Sequence, residues 1–128
     1  MRYTLNRILE NTAFEEAEAR TRAALTARGF GVITEIDVAA TMKAKLDREM
    51  TPYKILGACN PPRAFEALQA DPRIGAMLPC NVIVRAVERG VEVSAVDPVA
   101  SFAQVEAEGA RAVAAEVREI YVDLIANL

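Results

Sequence analysis

Apolar positions along this chain alternate, fall into helical spacing, and alternate again. Tyr3 to Leu9 carries Tyr3 and Leu5 in alternation and Ile8 and Leu9 out of it, which predicts a first strand ending near Glu10-Asn11. Thr12-Ala13-Phe14-Glu15 has the form of a capping box, with the Thr hydroxyl accepting from the amide three residues on. Phe14, Ala17, Thr21, Ala24 and Leu25 then recur on one helical face, and Gly29 supplies a left-handed stop. Phe30, Val32, Thr34 and Ile36 alternate as a second strand whose end carries Glu35 and Asp37 on one face, with Asp37 placed to cap a short helix over Val38–Leu46.

A third strand is expected over Tyr53–Cys59. Asn60-Pro61 pairs a capping side chain with a proline at the first helical position, where its missing N–H costs nothing, so Pro61–Ala70 reads as a helix. Asp71-Pro72 repeats the device before a single turn through Met77. A fourth strand, Val82–Val87, turns at Arg89-Gly90 into a fifth, Val91–Ala95, and Asp97-Pro98 stops it. From about Ala110, the stripe Val113, Val117, Ile120, Tyr121, Leu124 and Leu128 stands opposite Arg111, Glu116, Glu119 and Asp123, as in an amphipathic terminal helix. The order strand, helix, four strands, helix predicts one α+β domain with a mainly antiparallel sheet and its helices on one face. Val, Ile and Ala occupy both registers of the central strands, so the second sheet face is expected to be covered by a second copy in a homodimer.

The 128 residues suit one such domain, and 52% hydrophobic with 26% charged is enough to bury a core. A net charge of −3 lacks the cationic surplus that a nucleic-acid partner requires. No histidine is present, which removes Ser-His-Asp and Cys-His catalysis and His-containing zinc sites. The first residues, Met1 to Arg7, carry no apolar run behind their charges, and no stretch approaches the ~18 apolar residues of a membrane span, so neither export nor a membrane is expected. Two cysteines fit a reducing cytoplasm better than a disulfide-rich secreted domain. Gly29-Phe30-Gly31 leads from a helix into a strand, the reverse of a dinucleotide-binding turn, and Ser94 lies in a strand without a nucleophile elbow.

Chemistry therefore concentrates on Cys59 and Cys80, each where a strand meets irregular chain. Cys59 precedes a helix start, whose amides and partial positive charge favour a thiolate. If the two strands bring the sulfurs together, they offer a dithiol for a soft metal ion, or a disulfide closing about 20 residues and worth roughly 3 kcal/mol. Packing alone is the plainer account, since cysteine is a small and commonly buried side chain. Glu35, Asp37, Lys43 and Lys45 form a secondary polar cluster able to orient a polar ligand, or simply to cap and solvate.

The segments Gly31-Val32-Ile33-Thr34-Glu35-Ile36-Asp37, Tyr53-Lys54-Ile55-Leu56-Gly57-Ala58-Cys59-Asn60-Pro61 and Leu78-Pro79-Cys80-Asn81-Val82 together resemble the Domain of Unknown Function 302 family over nearly the whole chain. The resemblance implies a small bacterial or archaeal protein with a fold similar to the TATA-binding-protein type, usually dimeric. Glu35, Asp37 and Lys43 match the family's acidic strand end and following lysine; Cys59, Asn60, Pro61, Cys80 and Asn81 match its two cysteine segments. The chain departs from the family pattern at Asp47-Arg48-Glu49-Met50, where a glycine-containing turn is expected. Two functions follow as expectations: a homodimeric module that binds a small ligand or soft metal near Cys59 and Cys80, with Asn60 and Asn81 orienting the thiols, or a thiol-dependent redox or electron-transfer protein in which Cys59 attacks and Cys80 resolves.

Overall fold

The structure, a computed structural model, describes residues 2–128. Five antiparallel strands form one sheet in the order β1-β5-β4-β3-β2: β1 (Thr4–Glu10), β2 (Gly31–Asp37), β3 (Tyr53–Cys59), β4 (Cys80–Val87) and β5 (Gly90–Val96). The helices are α1 (Phe14–Ala27), α2 (Val38–Leu46), α3 (Pro61–Ala70), a 3-10 helix (Pro72–Met77), α4 (Pro98–Ser101) and α5 (Glu108–Ala126). The predicted α+β architecture is the one observed. Several boundaries moved by a residue or two: β1 begins at Thr4 rather than Tyr3, β4 at Cys80 rather than Val82, β5 spans Gly90–Val96 rather than Val91–Ala95, and α5 begins at Glu108 rather than near Ala110.

Cross-strand register makes the two sheet faces unequal. The row Leu5, Ala95, Val82, Leu56 and the row Arg7, Val93, Val84, Lys54 face the helices. There Ala95, Val82, Leu56, Val93 and Val84 are sealed from solvent against Leu25, Tyr121 and Leu124. The opposite rows, such as Asn6, Ser94, Ile83, Ile55 and Ile36, carry no helix and leave Ile36 48% exposed.

Helix α1 starts differently from the expected capping box. Its N-cap is Ala13, without a side-chain cap, because Asn11 takes a left-handed turn (φ 52°) and the Thr12 hydroxyl donates back to Glu10 O at 3.0 Å. Its end is as expected: Gly29 (φ 83°) donates to Thr26 O and Phe30 to Leu25 O, the two bonds of a Schellman motif. That turn delivers Phe30 into the core, where its ring centroid lies 5.1 Å from that of Tyr121. Where the family resemblance led to a glycine after α2, Asp47 adopts the left-handed conformation itself (φ 53°), which a short polar side chain tolerates.

The three Asx-Pro helix starts all form. Asn60 accepts from Arg63 N, Asp71 from Arg73 N and Asp97 from Val99 N, at 3.2, 3.0 and 3.0 Å. Among the described residues, no helix is long and apolar enough to cross a membrane.

Candidate functional site

Where β3 ends and β4 begins, the sheet stops short of the helices that cover it, and a hollow of about 340 Å³ opens there. Its floor is Ala58 and Cys80, paired across the two strands. Ala64 and Ala67 of α3 form one wall and Val113, Ala114 and Val117 of α5 another, with Phe30 and Phe102 closing the rest. Cavity and small side chains go together: alanines on facing elements leave the volume that larger residues would fill.

Both cysteines border this hollow, and both are free thiols. Cys80 is buried at the start of β4, where its carbonyl accepts from the sealed Tyr121 hydroxyl at 2.9 Å. Burial, and then the neighbouring Cys59, push the Cys80 thiol up to about 11. Cys59 stands one residue beyond Ala58, the cross-strand partner of Cys80. Strand alternation therefore directs the two β-carbons to opposite sheet faces, and the hollow reaches both by extending around the sheet end. A disulfide between them would need backbone movement.

The expected helix-terminal support for Cys59 is missing for a definite reason. The first two positions of α3 are Pro61 and Pro62, which have no N–H, the third amide is held by Asn60 Oδ1, and Ala64 N bonds Asn60 O. No amide is left at this helix start to face a sulfur.

The asparagines do not act as a pair. Asn60, almost buried, spends its carbonyl on the cap and lays its amide nitrogen against Gly29. Asn81 follows Cys80 by one residue, so the pleat turns it to the helix-free face, beside Tyr53, Arg85, Glu92 and Ser94. Among the described residues neither asparagine side chain hydrogen-bonds a cysteine sulfur.

Glu35, Asp37 and Lys43 separate too. Asp37 caps α2, accepting from Ala40 N at 2.9 Å, as expected. Lys43 turns away to Asp47 Oδ1 (2.6 Å) and Glu49 Oε1 (3.0 Å). Glu35 belongs to a closed ring that the sequence did not reveal: Lys54 Nζ bonds Glu35 Oε1 (2.8 Å) and Glu18 Oε1 (3.0 Å), and Arg22 bonds Glu18 Oε2 (2.9 Å) and Glu35 Oε2 (3.1 Å). The Lys54 hydrogen bond holds the Glu35 carboxyl below the usual carboxylate range, and the same bond raises Lys54. The ring fastens α1 to β2 and β3, and its four groups satisfy one another.

Among the described residues no three His, Cys, Asp or Glu side chains group to hold a metal ion. Cys59 and Cys80 thus supply two donors without a third. Two donors fall short of tetrahedral zinc.

Sequence reasoning missed Phe30, Arg63 and the alanines, which meet at the hollow from separate elements. Arg63 had a signal: it is the first residue after Asn60-Pro61-Pro62 with a side chain long enough to reach around the helix start.

A five-stranded antiparallel sheet with helices on one face and an apolar hollow at its end defines an α+β domain. The model of the family described as Domain of unknown function DUF302 matches residues 6–128, and the chain belongs to that family. A solved relative, the uncharacterized conserved protein DUF302 from Bacillus stearothermophilus, superposes with a TM-score of 0.89 at 21% identity, covering 98% of each chain, which shows the shared fold. No curated protein matches the chain.

Proposed function

We propose that this chain is a homodimeric small-ligand binding module, acting in the reducing cytoplasm, whose site is the hollow bounded by Cys59, Asn60 and Cys80. The observation that carries the reading is the hollow itself, about 340 Å³ of apolar-walled space that runs from an open mouth against the buried core. Clefts of roughly 300–1,000 Å³ with few polar groups are the usual form of small-molecule sites. The test uses the neutral fluorophore N-phenyl-1-naphthylamine: its emission should rise on titration with the protein. Ala64→Phe, which sends a ring into the space from the half-buried wall of α3, should abolish most of that rise while circular dichroism stays native. An unchanged signal in the variant would place the probe elsewhere and end the reading.

A second reading rests on the two thiols meeting one hollow: a soft ion held by Cys59 and Cys80, or redox cycling between them. The register offset disfavours the cycling form, since the disulfide it requires strains the sheet end. For the partner, the helix-free face offers Ile36, Ile55 and Ile83 in one row across three strands, beside the Arg85–Glu92 pair. Native mass spectrometry addresses both points. The reading expects twice the chain mass, and the soft-ion alternative expects added copper mass that Cys59→Ser removes.

A further inference from the structure

The mouth of the hollow is marked by Ile33, 63% exposed, Leu68, 37% exposed, and the half-buried Arg63. Arg63 is the one charged side chain bordering the space. Its Nε donates to Glu116 Oε2 at 3.1 Å, and among the described residues neither Nη has a hydrogen-bond partner. Deeper in, every buried side-chain nitrogen and oxygen of the described residues already has a partner. The hollow is lined almost wholly by apolar side chains, with Asn60 and the two thiols as its uncharged polar groups, while the mouth offers two guanidinium nitrogens.

We propose that the ligand is a monocarboxylate amphiphile, its apolar chain or ring inside the hollow and its carboxylate on the Nη groups of Arg63. This rests on the reading of the hollow as the binding site and adds the chemical class that it takes. A polar body would shed its hydration against walls that are mostly apolar and replace little of it, whereas an apolar body exchanges water for contact with Ala64, Ala67, Val113 and Val117. Size limits the body: about 340 Å³ corresponds to roughly ten groups the size of a water molecule, so a chain near ten carbons fills it. The sign of the end group follows from Arg63, since a guanidinium meets a carboxylate through paired N–H···O bonds and repels an ammonium. Glu116 is the internal competitor for the same cation, lying outside the hollow on α5.

Isothermal titration with decanoate, 1-decanol and decyltrimethylammonium tests the class. Decanoate should bind about tenfold or more tightly than decanol, as hydrogen bonds to charged groups imply, and the ammonium should bind weakest. Arg63→Met should bring decanoate to the affinity of decanol without changing decanol. Glu116→Gln, which removes the competing charge while keeping an acceptor for Nε, should strengthen decanoate several-fold; a merely structural Arg63–Glu116 pair would produce no such gain. Equal binding of decanoate and decanol, or an unaltered decanoate affinity in Arg63→Met, overturns the anionic class and leaves the hollow as a binding site. Failure of all three probes in the wild-type protein overturns the hollow as well.

Discussion

Gly57→Ala is expected to lower the melting temperature of this domain by roughly 5–15 °C, the equivalent of about 1–3 kcal/mol of overpacking. A β-carbon at position 57 would overlap Thr34 Oγ1 and stand 2.8 Å from Pro79 Cγ, with Thr34 Cβ at 3.3 Å. The backbone is not the obstacle, because Gly57 lies in ordinary strand conformation between Leu56 and Ala58. The obstacle is that Thr34 and Pro79 both lean into the place where the side chain would be. β2 and β3 meet there beside a register shift between Val32 and Thr34. Pro79 also borders the hollow, which couples this packing to the site. A double-mutant cycle in thermal or urea unfolding checks the cause: Thr34→Ala removes the overlapping oxygen, so the double variant should recover a large part of the loss. Strict additivity of the two changes would refute the clash as the origin.

Legibility in the sequence followed the range of the interaction. Asp37, Asn60, Asp71 and Asp97 were readable as helix starts because a cap and its amide lie two or three residues apart. Gly29 was readable because a Schellman turn is equally local. Thr12 misled at the same short range: the left-handed Asn11, tied to Arg89 O of the next hairpin, shifts the helix start by one residue, and no local pattern records that contact. Both cysteines border one space, but their facing was not legible, since it depends on Cys80 pairing with Ala58 instead of Cys59. A one-residue register offset reverses a side chain's face, and nothing in either strand alone sets it. The hollow was the least legible feature. Ala58, Ala64, Ala67 and Ala114 are unremarked singly, and only the packing of β3, α3 and α5 makes their missing volume coincide.

Stability should fall above pH 9, and Cys80 should account for about 2 kcal/mol of the fall between pH 9 and 11. In the unfolded chain this thiol ionises near its ordinary value of 9.0, whereas in the folded protein burial, and then Cys59, hold it protonated up to about 11. Below pH 9 the thiol is neutral in both states and its contribution is complete; as the pH climbs, the unfolded state gains by ionising and the folded state does not follow until the upper value is reached. Tyr121 acts in the same direction from about pH 10, because burial, then Cys80 and Cys59, raise its phenol far above the ordinary range. Urea unfolding at intervals from pH 7 to 11 measures the slope. Lys54, itself raised by Glu35 and Glu18, loses its charge in both wild type and Cys80→Ala, so the difference between the two proteins reports the thiol together with its effect on Tyr121. Parallel curves through pH 10.5 would show that Cys80 ionises equally well in both states. The same shift bears on function: at pH 8, three units below 11, only about one Cys80 in a thousand is thiolate, a poor basis for exchange chemistry that needs the sulfur anion. A buried thiol held neutral beside an apolar hollow serves as wall, and that favours ligand binding over redox cycling at this end of the sheet.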